Sequence, residues 1–294
     1  MITLILKGGL GNQMLQYAFA KSLSIEKGEE LRLNTTFLDT RLPVKDFTPR
    51  AYELDLFHIS SEVKGFYKNK FLESKLGYLS LKILNAFNTE YIVEGPNPYE
   101  YRQEYIEQAL RSSNPILEGY FNNYRYFEKH NQEILEIFDT DKLADTKFAE
   151  IEKTIQQSNS VSINIRRGDY LNSKHKDVFI NLQKDYYEKA IKHIREKTSK
   201  PVFFVFSYDD PEWIKQELKF SEKELVIVDK KYVGDRFKTY LRLISLCKNN
   251  IISNSTFAFW GAYLNKNKYK IVISPKKWMV EYEFENPRGW ISIS

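Results

Sequence analysis

Between residues 161 and 273 short apolar runs alternate with amphipathic segments, and this alternation constrains the fold of the 294-residue chain more than any other feature. Residues 161–165, 201–206, 225–228, 250–253 and 270–273 read as buried strands; residues 184–197, 211–219, 235–247 and 257–264 read as the helices between them. Strands separated in this way by helices predict a parallel, doubly wound sheet, because each crossover is right-handed and lays its helix back onto the sheet.

In such a sheet ligands bind outside the carboxyl ends of the strands, where loop amides and helix N-termini converge. Polar residues cluster there after every strand but 225–228. Arg166-Arg167-Gly168-Asp169-Tyr170 follows the first strand, Ser207-Tyr208-Asp209-Asp210 the second, Ser253-Asn254-Ser255-Thr256 the fourth and Ser274-Pro275-Lys276-Lys277-Trp278 the last. Two permanently charged arginine forks ahead of a glycine suit a diphosphate, and the competing reading pairs one arginine with Asp169 and leaves the other exposed. Ser255 and Thr256 open a helix, either as an anion site or as a plain N-cap. Asp209 and Asp210 either read a nucleoside, act as a base, or cap the next helix.

The chain opens with the apolar run 2–6, the glycines Gly8-Gly9-Leu10-Gly11, a helical pattern over 12–27 and a short strand at 31–33. That is the start of a second parallel α/β domain. Residues 40–130 carry several prolines and little periodicity, apart from a helical segment at 71–87. Polar segments near 140 and 156–160 divide the chain into an N-terminal domain over 1–150 and a C-terminal one over 151–294.

Several chemistries drop out. Met14 stands where the dinucleotide fingerprint needs its third glycine, and no GxxxxGK[ST] phosphate loop is present. His58, His130, His175 and His193 have no ligand spacing, and Asp139-Thr140-Asp141 precedes a helical turn rather than following a strand, so no metal is expected. The single cysteine, Cys247, lies in an apolar helical pattern and reads as a buried small hydrophobe in a chain suited to a reducing compartment. The net charge of +5 without a concentrated basic stripe argues against nucleic acid. The first residues are too short for a signal peptide's apolar core and no run reaches membrane-spanning length. A cytoplasmic protein follows, able to visit the inner face of the membrane for a lipid-linked acceptor.

Three segments together resemble the bacterial α-1,2-fucosyltransferases of glycosyltransferase family 11. They are Gly8-Gly9-Leu10-Gly11-Asn12-Gln13-Met14 with Gln16-Tyr17-Ala18-Phe19, the arginine segment, and Ser253-Asn254-Ser255-Thr256-Phe257-Ala258-Phe259-Trp260-Gly261-Ala262-Tyr263-Leu264. The resemblance implies a GT-B-like fold of two Rossmann-like domains. It also implies metal-independent, inverting transfer of L-fucose from GDP-β-L-fucose to a glycan hydroxyl, α-1,2 to galactose. Gly9, Leu10, Gly11 and Asn12 are then expected to border the sugar donor or the acceptor. Asn164, Arg166, Arg167, Ser207, Asp209, Asn254, Ser255, Thr256 and Phe257 are expected to line the sugar donor, with Arg166 on the phosphate and Asp169 as candidate base. Asn164 stands where the family carries a histidine; it donates a hydrogen bond but carries no charge near neutral pH. Tyr208 interrupts the family's Phe-Ser-Asp-Asp, leaving Asp209 or Asp210 as the counterpart. The other readings are a same-fold transferase with another linkage or sugar, or a non-catalytic carbohydrate binder.

Overall fold

Two all-parallel sheets organise the chain, one in each of two units, Met1–Phe138 and Asp139–Ser294. The computed structural model describes residues 1–39, 50–60, 90–166, 178–207 and 211–294. The helix expected over 71–87 lies outside these residues.

In the first unit the strand order is β2-β1-β4-β3, with β1 at Ile2–Ile5, β2 at Leu31–Asn34, β3 at Tyr91–Val93 and β4 at Ile116–Glu118. Between β1 and β2 runs α1, Leu10–Lys27. It starts two residues after Gly8, whose φ of +73° lies in the region that favours glycine. It stops at Gly28, left-handed at φ 64°, with the Glu29 N–H closing back on Ser24 O at 3.1 Å. Most of α1 is buried, and its aromatic residues pack inward: the Phe19 ring centroid lies 4.7 Å from that of Phe121 and 4.6 Å from that of Tyr126. Much of the chain's aromatic content is thus core. Helix α2, Gln103–Arg111, joins β3 to β4.

The second unit has the order β10-β9-β8-β5-β6-β7. Helix α3, Ala149–Gln157, leads into β5, Asn159–Asn164. Next come α4 (Lys184–Lys197), β6 (Pro201–Phe206), α5 (Pro211–Glu217) and β7 (Leu225–Val228). Then follow α6 (Lys238–Leu246), β8 (Asn249–Ile251), α7 (Thr256–Tyr263) and β9 (Val272–Pro275). The parallel alternation is as expected, and a sixth strand, β10 (Ile291–Ile293), extends it beside β9. Helix α6 starts later than its pattern suggests, because Gly234, Arg236 and Phe237 take left-handed φ values of 69°, 49° and 63°. Val161, Ile163, Phe203, Val205 and Ile251 are completely buried between the helix layers, each worth ~1.5–3 kcal/mol of burial. Cys247 is fully buried too; its thiol donates to Leu243 O at 3.4 Å and burial pushes its pKa up.

The units divide at 138/139, upstream of the 150/151 read from the polar segments, and Arg242 supplies the reason. Its guanidinium, 9% exposed, bonds both oxygens of Glu152 at 2.5 and 2.8 Å, Asp141 Oδ1 at 2.8 Å and Thr140 O at 3.0 Å. These bonds tie the turns after Asp139 and helix α3 to α6. Arg242→Ala is expected to leave Glu152, 13% exposed, without its counterion and to cost about 3 kcal/mol. Thermal denaturation should read a melting temperature lowered by on the order of 10 °C; an unchanged value would mean that this cluster does not anchor the segment.

Candidate functional site

The chain leaves β5 toward β6 and β7 on one side of the second sheet and returns to β8 and β9 on the other. The point where the strand order reverses therefore lies between β5 and β8, and the crevice outside their carboxyl ends is where an open α/β sheet binds a ligand. Asn164 ends β5, and Ser253, fully buried, follows β8; Ser253 Oγ donates to Asn164 Oδ1 at 2.5 Å across this point. The bond occupies the oxygen side of the carboxamide, so what Asn164 has left to give is its Nδ2 donor. Arg166 comes two residues later, after Ile165 N–H has bonded Phe206 O at 3.1 Å and extended the β5–β6 ladder by one residue. Ser207, at the end of β6, is buried at the same edge. Asn164, Ser253, Ser207 and Arg166 thus stand together in the chain at the carboxyl edge of β5, β6 and β8.

Helix α7 starts at this edge. Ser255 is its N-cap, accepting from Ala258 N at 3.4 Å, so the capping reading of that hydroxyl holds while the helix N-terminus still faces the crevice. Its other end is held by Lys270, whose ammonium donates to Ala262 O (3.0 Å), Tyr263 O (3.2 Å) and Asn265 O (2.7 Å); burial pushes that amine down to about 8. Thr256 opens the helix, and Phe257 packs edge-on against Phe237 at 6.3 Å. Asn254 is a brace: its Nδ2 donates to Ile180 O at 2.8 Å and Trp278 O at 2.9 Å, fastening two loops beneath the edge. Arg167, Asp169 and Asp209 lie outside the described residues.

The strand end left out of the sequence reading, β7, is followed by Asp229-Lys230-Lys231 and then by a loop with the strained residues Arg236 and Phe237 and the buried Thr239. Gly234 was the only visible signal: a Cβ there would lie 2.1 Å from Thr239 Oγ1. The Asp-x-Asp at 139–141 is engaged structurally. Asp139 accepts from Asp141 N at 3.0 Å, both carboxylates pair with Lys266, and Arg242 and Lys266 hold the Asp141 carboxyl below its ordinary range.

In the first unit the glycine loop is shaped by two completely buried glutamines. Gln16 accepts from Lys7 N and donates to Lys7 O, both at 2.9 Å; Gln13 donates to Gly8 O and Ala51 O, both at 2.8 Å, and accepts from Glu53 N at 3.0 Å. Neither glutamine was singled out in sequence, although both stand in the glycine motif. Gly9 lies against Arg50, whose Nε is 3.6 Å from its ideal Cβ position. Leu10 is 5% exposed and Gly11 is buried, so there this loop offers backbone rather than side chains; Asn12 is half-buried.

A family model described as glycosyl transferase family 11 matches residues 1–293. O-antigen biosynthesis glycosyltransferase WbnK of Escherichia coli is 32% identical over 292 residues, covering 93% of this chain and 93% of that protein. The α-1,2-colitosyltransferase of Escherichia coli is 31% identical over 303 residues, covering 98% and 97%. Galactoside α-(1,2)-fucosyltransferase 2 of Pongo pygmaeus is 24% identical over 271 residues, covering 87% and 67%. No helix among the described residues is long and apolar enough to cross a membrane. With two parallel α/β units and a family match along essentially its whole length, this chain belongs to glycosyl transferase family 11.

Proposed function

We propose that the chain transfers L-fucose, with inversion, from GDP-β-L-fucose to a hydroxyl of a glycan, α-1,2 to galactose. The observation that carries the reading is the Asn164–Ser253 bond at the reversal point of the second sheet, beside Arg166 and the N-terminus of α7. Charge builds on the leaving diphosphate as the sugar's anomeric C–O bond breaks, and a fixed cation with fixed N–H groups stabilises that charge without reorganising. Arg166 is the residue assigned to the diphosphate, with Arg167 beside it in sequence. Asn164, lacking the histidine's ionisation, would contact the phosphate by hydrogen bonding alone, so its contribution is flat through neutral pH. The family relative named for colitosyl transfer, at 31% identity, supports a second reading in which the sugar moved is colitose. The acceptor is a glycan, lipid-linked at the membrane surface in the fuller form of this proposal, and no metal is assigned a role.

Incubation with GDP-fucose, the colitosyl nucleotide and a panel of β-galactosides, followed by linkage analysis, is expected to yield an α-1,2-fucosylated product. A product from the colitosyl nucleotide alone would select the second reading, and no product from either would sink both. Arg166→Ala should weaken GDP binding by about 10- to 100-fold in calorimetry, the worth of a charge-assisted contact; unchanged affinity would remove Arg166 from the phosphate. Asn164→Asp keeps an acceptor for Ser253 but adds a negative charge, and GDP affinity should fall about tenfold or more, with a larger loss at low ionic strength. A variant that binds GDP like the native chain would show that Asn164 does not meet the phosphate.

A further inference from the structure

Charges at the carboxyl edge of the first sheet are answered in place. Glu94, which follows β3, accepts the backbone N–H groups of Tyr120 and Phe121, each at 2.6 Å, and Glu118 at the end of β4 pairs with Lys7. The amino edge of the second sheet is different. The turns that enter β6, β8, β9 and β10, residues 198–200, 247–248, 264–271 and 286–290, hold Lys200, Lys248, Lys266, Lys268, Lys270 and Arg288 and no Asp or Glu. The turn that enters β7 adds a mixed set, Lys219, Glu222, Lys223 and Glu224. Scattered in sequence, the cations share one edge because the strands are all parallel and every turn before a strand lies at the same end. Hydrogen bonds link neighbouring turns along it: Asn267 Nδ2 donates to Lys248 O at 2.9 Å, Lys248 Nζ to Asn159 Oδ1 at 3.2 Å, and Asn159 Nδ2 to Ser199 O at 2.6 Å.

Lysines at such an edge ordinarily complement the helix C-termini that end there, and Lys270 does so, turned inward onto the last carbonyls of α7. Lys266 is answered by Asp139 and Asp141. Lys200 and Lys268 are exposed, and the partner of Lys248 is the neutral carboxamide of Asn159. Between Lys268 and Lys270 stands Tyr269, 90% exposed. Its loop is pinned. The buried Asn265 donates from Nδ2 to Cys247 O and Asn250 Oδ1, each at 2.7 Å, and accepts the Asn267 N–H at 2.8 Å; Asn267 Oδ1 in turn accepts the Tyr269 N–H at 3.1 Å. Fixed backbone therefore holds the ring out into water.

A rigid phenol flanked by ammonium groups matches the headgroup layer of an anionic bilayer, where rings with an apolar body and a polar tip settle and lysines meet lipid phosphates. Single-stranded nucleic acid instead takes several rings along a groove. Here the other aromatic residue of these turns, Trp290, packs on Phe259 at 5.3 Å and Tyr263 at 6.4 Å.

We propose that the amino edge of the second sheet docks on an anionic lipid surface, with Tyr269 among the headgroups and Lys200, Lys248 and Lys268 on their phosphates. The crevice at the opposite ends of the same strands then stays open to water, where a nucleotide sugar is dissolved. This surface extends the lipid-linked form of the reading above, and its chemistry does not depend on which sugar is moved.

Sedimentation with vesicles of phosphatidylglycerol and phosphatidylcholine in equal parts is expected to carry down the native protein at low ionic strength, with affinity falling as salt is raised. Vesicles of phosphatidylcholine alone should leave it in solution. Lys248→Gln combined with Lys268→Gln should lower affinity for the anionic vesicles by about tenfold or more, near a factor of about five per lysine, and flatten the salt dependence. Lys147→Gln combined with Lys153→Gln, an equal loss of charge beside and on α3, should change affinity by less than about threefold. Tyr269→Ala should weaken binding by about three- to tenfold and leave the salt dependence as it was. Equal binding to both kinds of vesicle, an edge variant that binds like the native chain, or an equal loss in the α3 pair would overturn the proposal. So would tighter binding of an oligouridylate than of the anionic vesicles, which would mark a nucleic-acid face. GDP affinity and turnover on a soluble β-galactoside should stay within about twofold in every variant. Active protein that ignores anionic vesicles fails this inference alone, and vesicle-bound protein that makes no product fails the fucosyl reading alone.

Discussion

Irregular backbone at the carboxyl edge of a parallel sheet must satisfy its own peptide groups before anything can bind there, and in this chain buried carboxamides do that work. Gln16 closes on both the N–H and the carbonyl of Lys7, and Gln13 bridges Gly8 to Ala51 and Glu53. At the opposite, amino edge of the second sheet the same device recurs: Asn250 bonds Ser162 Oγ at 2.7 Å and Ile244 O at 2.9 Å, and Asn265 bonds Asn250 Oδ1 and Cys247 O, each at 2.7 Å. Asn254 adds the two loops below the carboxyl edge. A side-chain amide offers donor and acceptor in fixed geometry without charge, so it can brace a loop in the interior where an ion would carry a heavy desolvation cost. Leucine at any of these positions would fill space but leave peptide groups unmatched.

The two carboxyl edges built on these braces differ in chemical sense. At the second, Asn164, Arg166 and the start of α7 gather donors and positive charge. At the first, Glu94, Glu118 and Asn122 gather acceptors, moderated by Lys7 and Arg102. The same strand-order reversal underlies both.

The parallel alternation in the second half was legible because each strand is a run of buried residues bounded by polar turns. Three strands escaped, β3, β4 and β10: each has three residues, and none lies inside the regular alternation of apolar runs and helical segments that made the equally short β8 legible. The left-handed backbone of Arg236 and Phe237 is a tertiary effect whose local mark in the sequence is Gly234 alone. Asn164 and Ser253 were visible as strand-end polar residues, but their bond joins positions 89 apart and belongs to the strand order, not to either segment. Glu94 was illegible for a sharper reason. An isolated glutamate reads as a solvated surface charge, and only folding brings Tyr120, Phe121 and Gly119 around it. The two units part at 138/139, about a dozen residues before the limit read from the polar segments, and Arg242 ties the stretch between to the second unit.

The buried thiol of Cys247 has a practical corollary. Sealed against the core and bonded to a helix carbonyl, it is the chain's sole cysteine and has no route to a soluble reagent. The native surface is therefore silent to thiol chemistry, and any cysteine installed there would be a unique attachment point. A fluorophore or spin label placed beside either sheet edge would report on that edge alone.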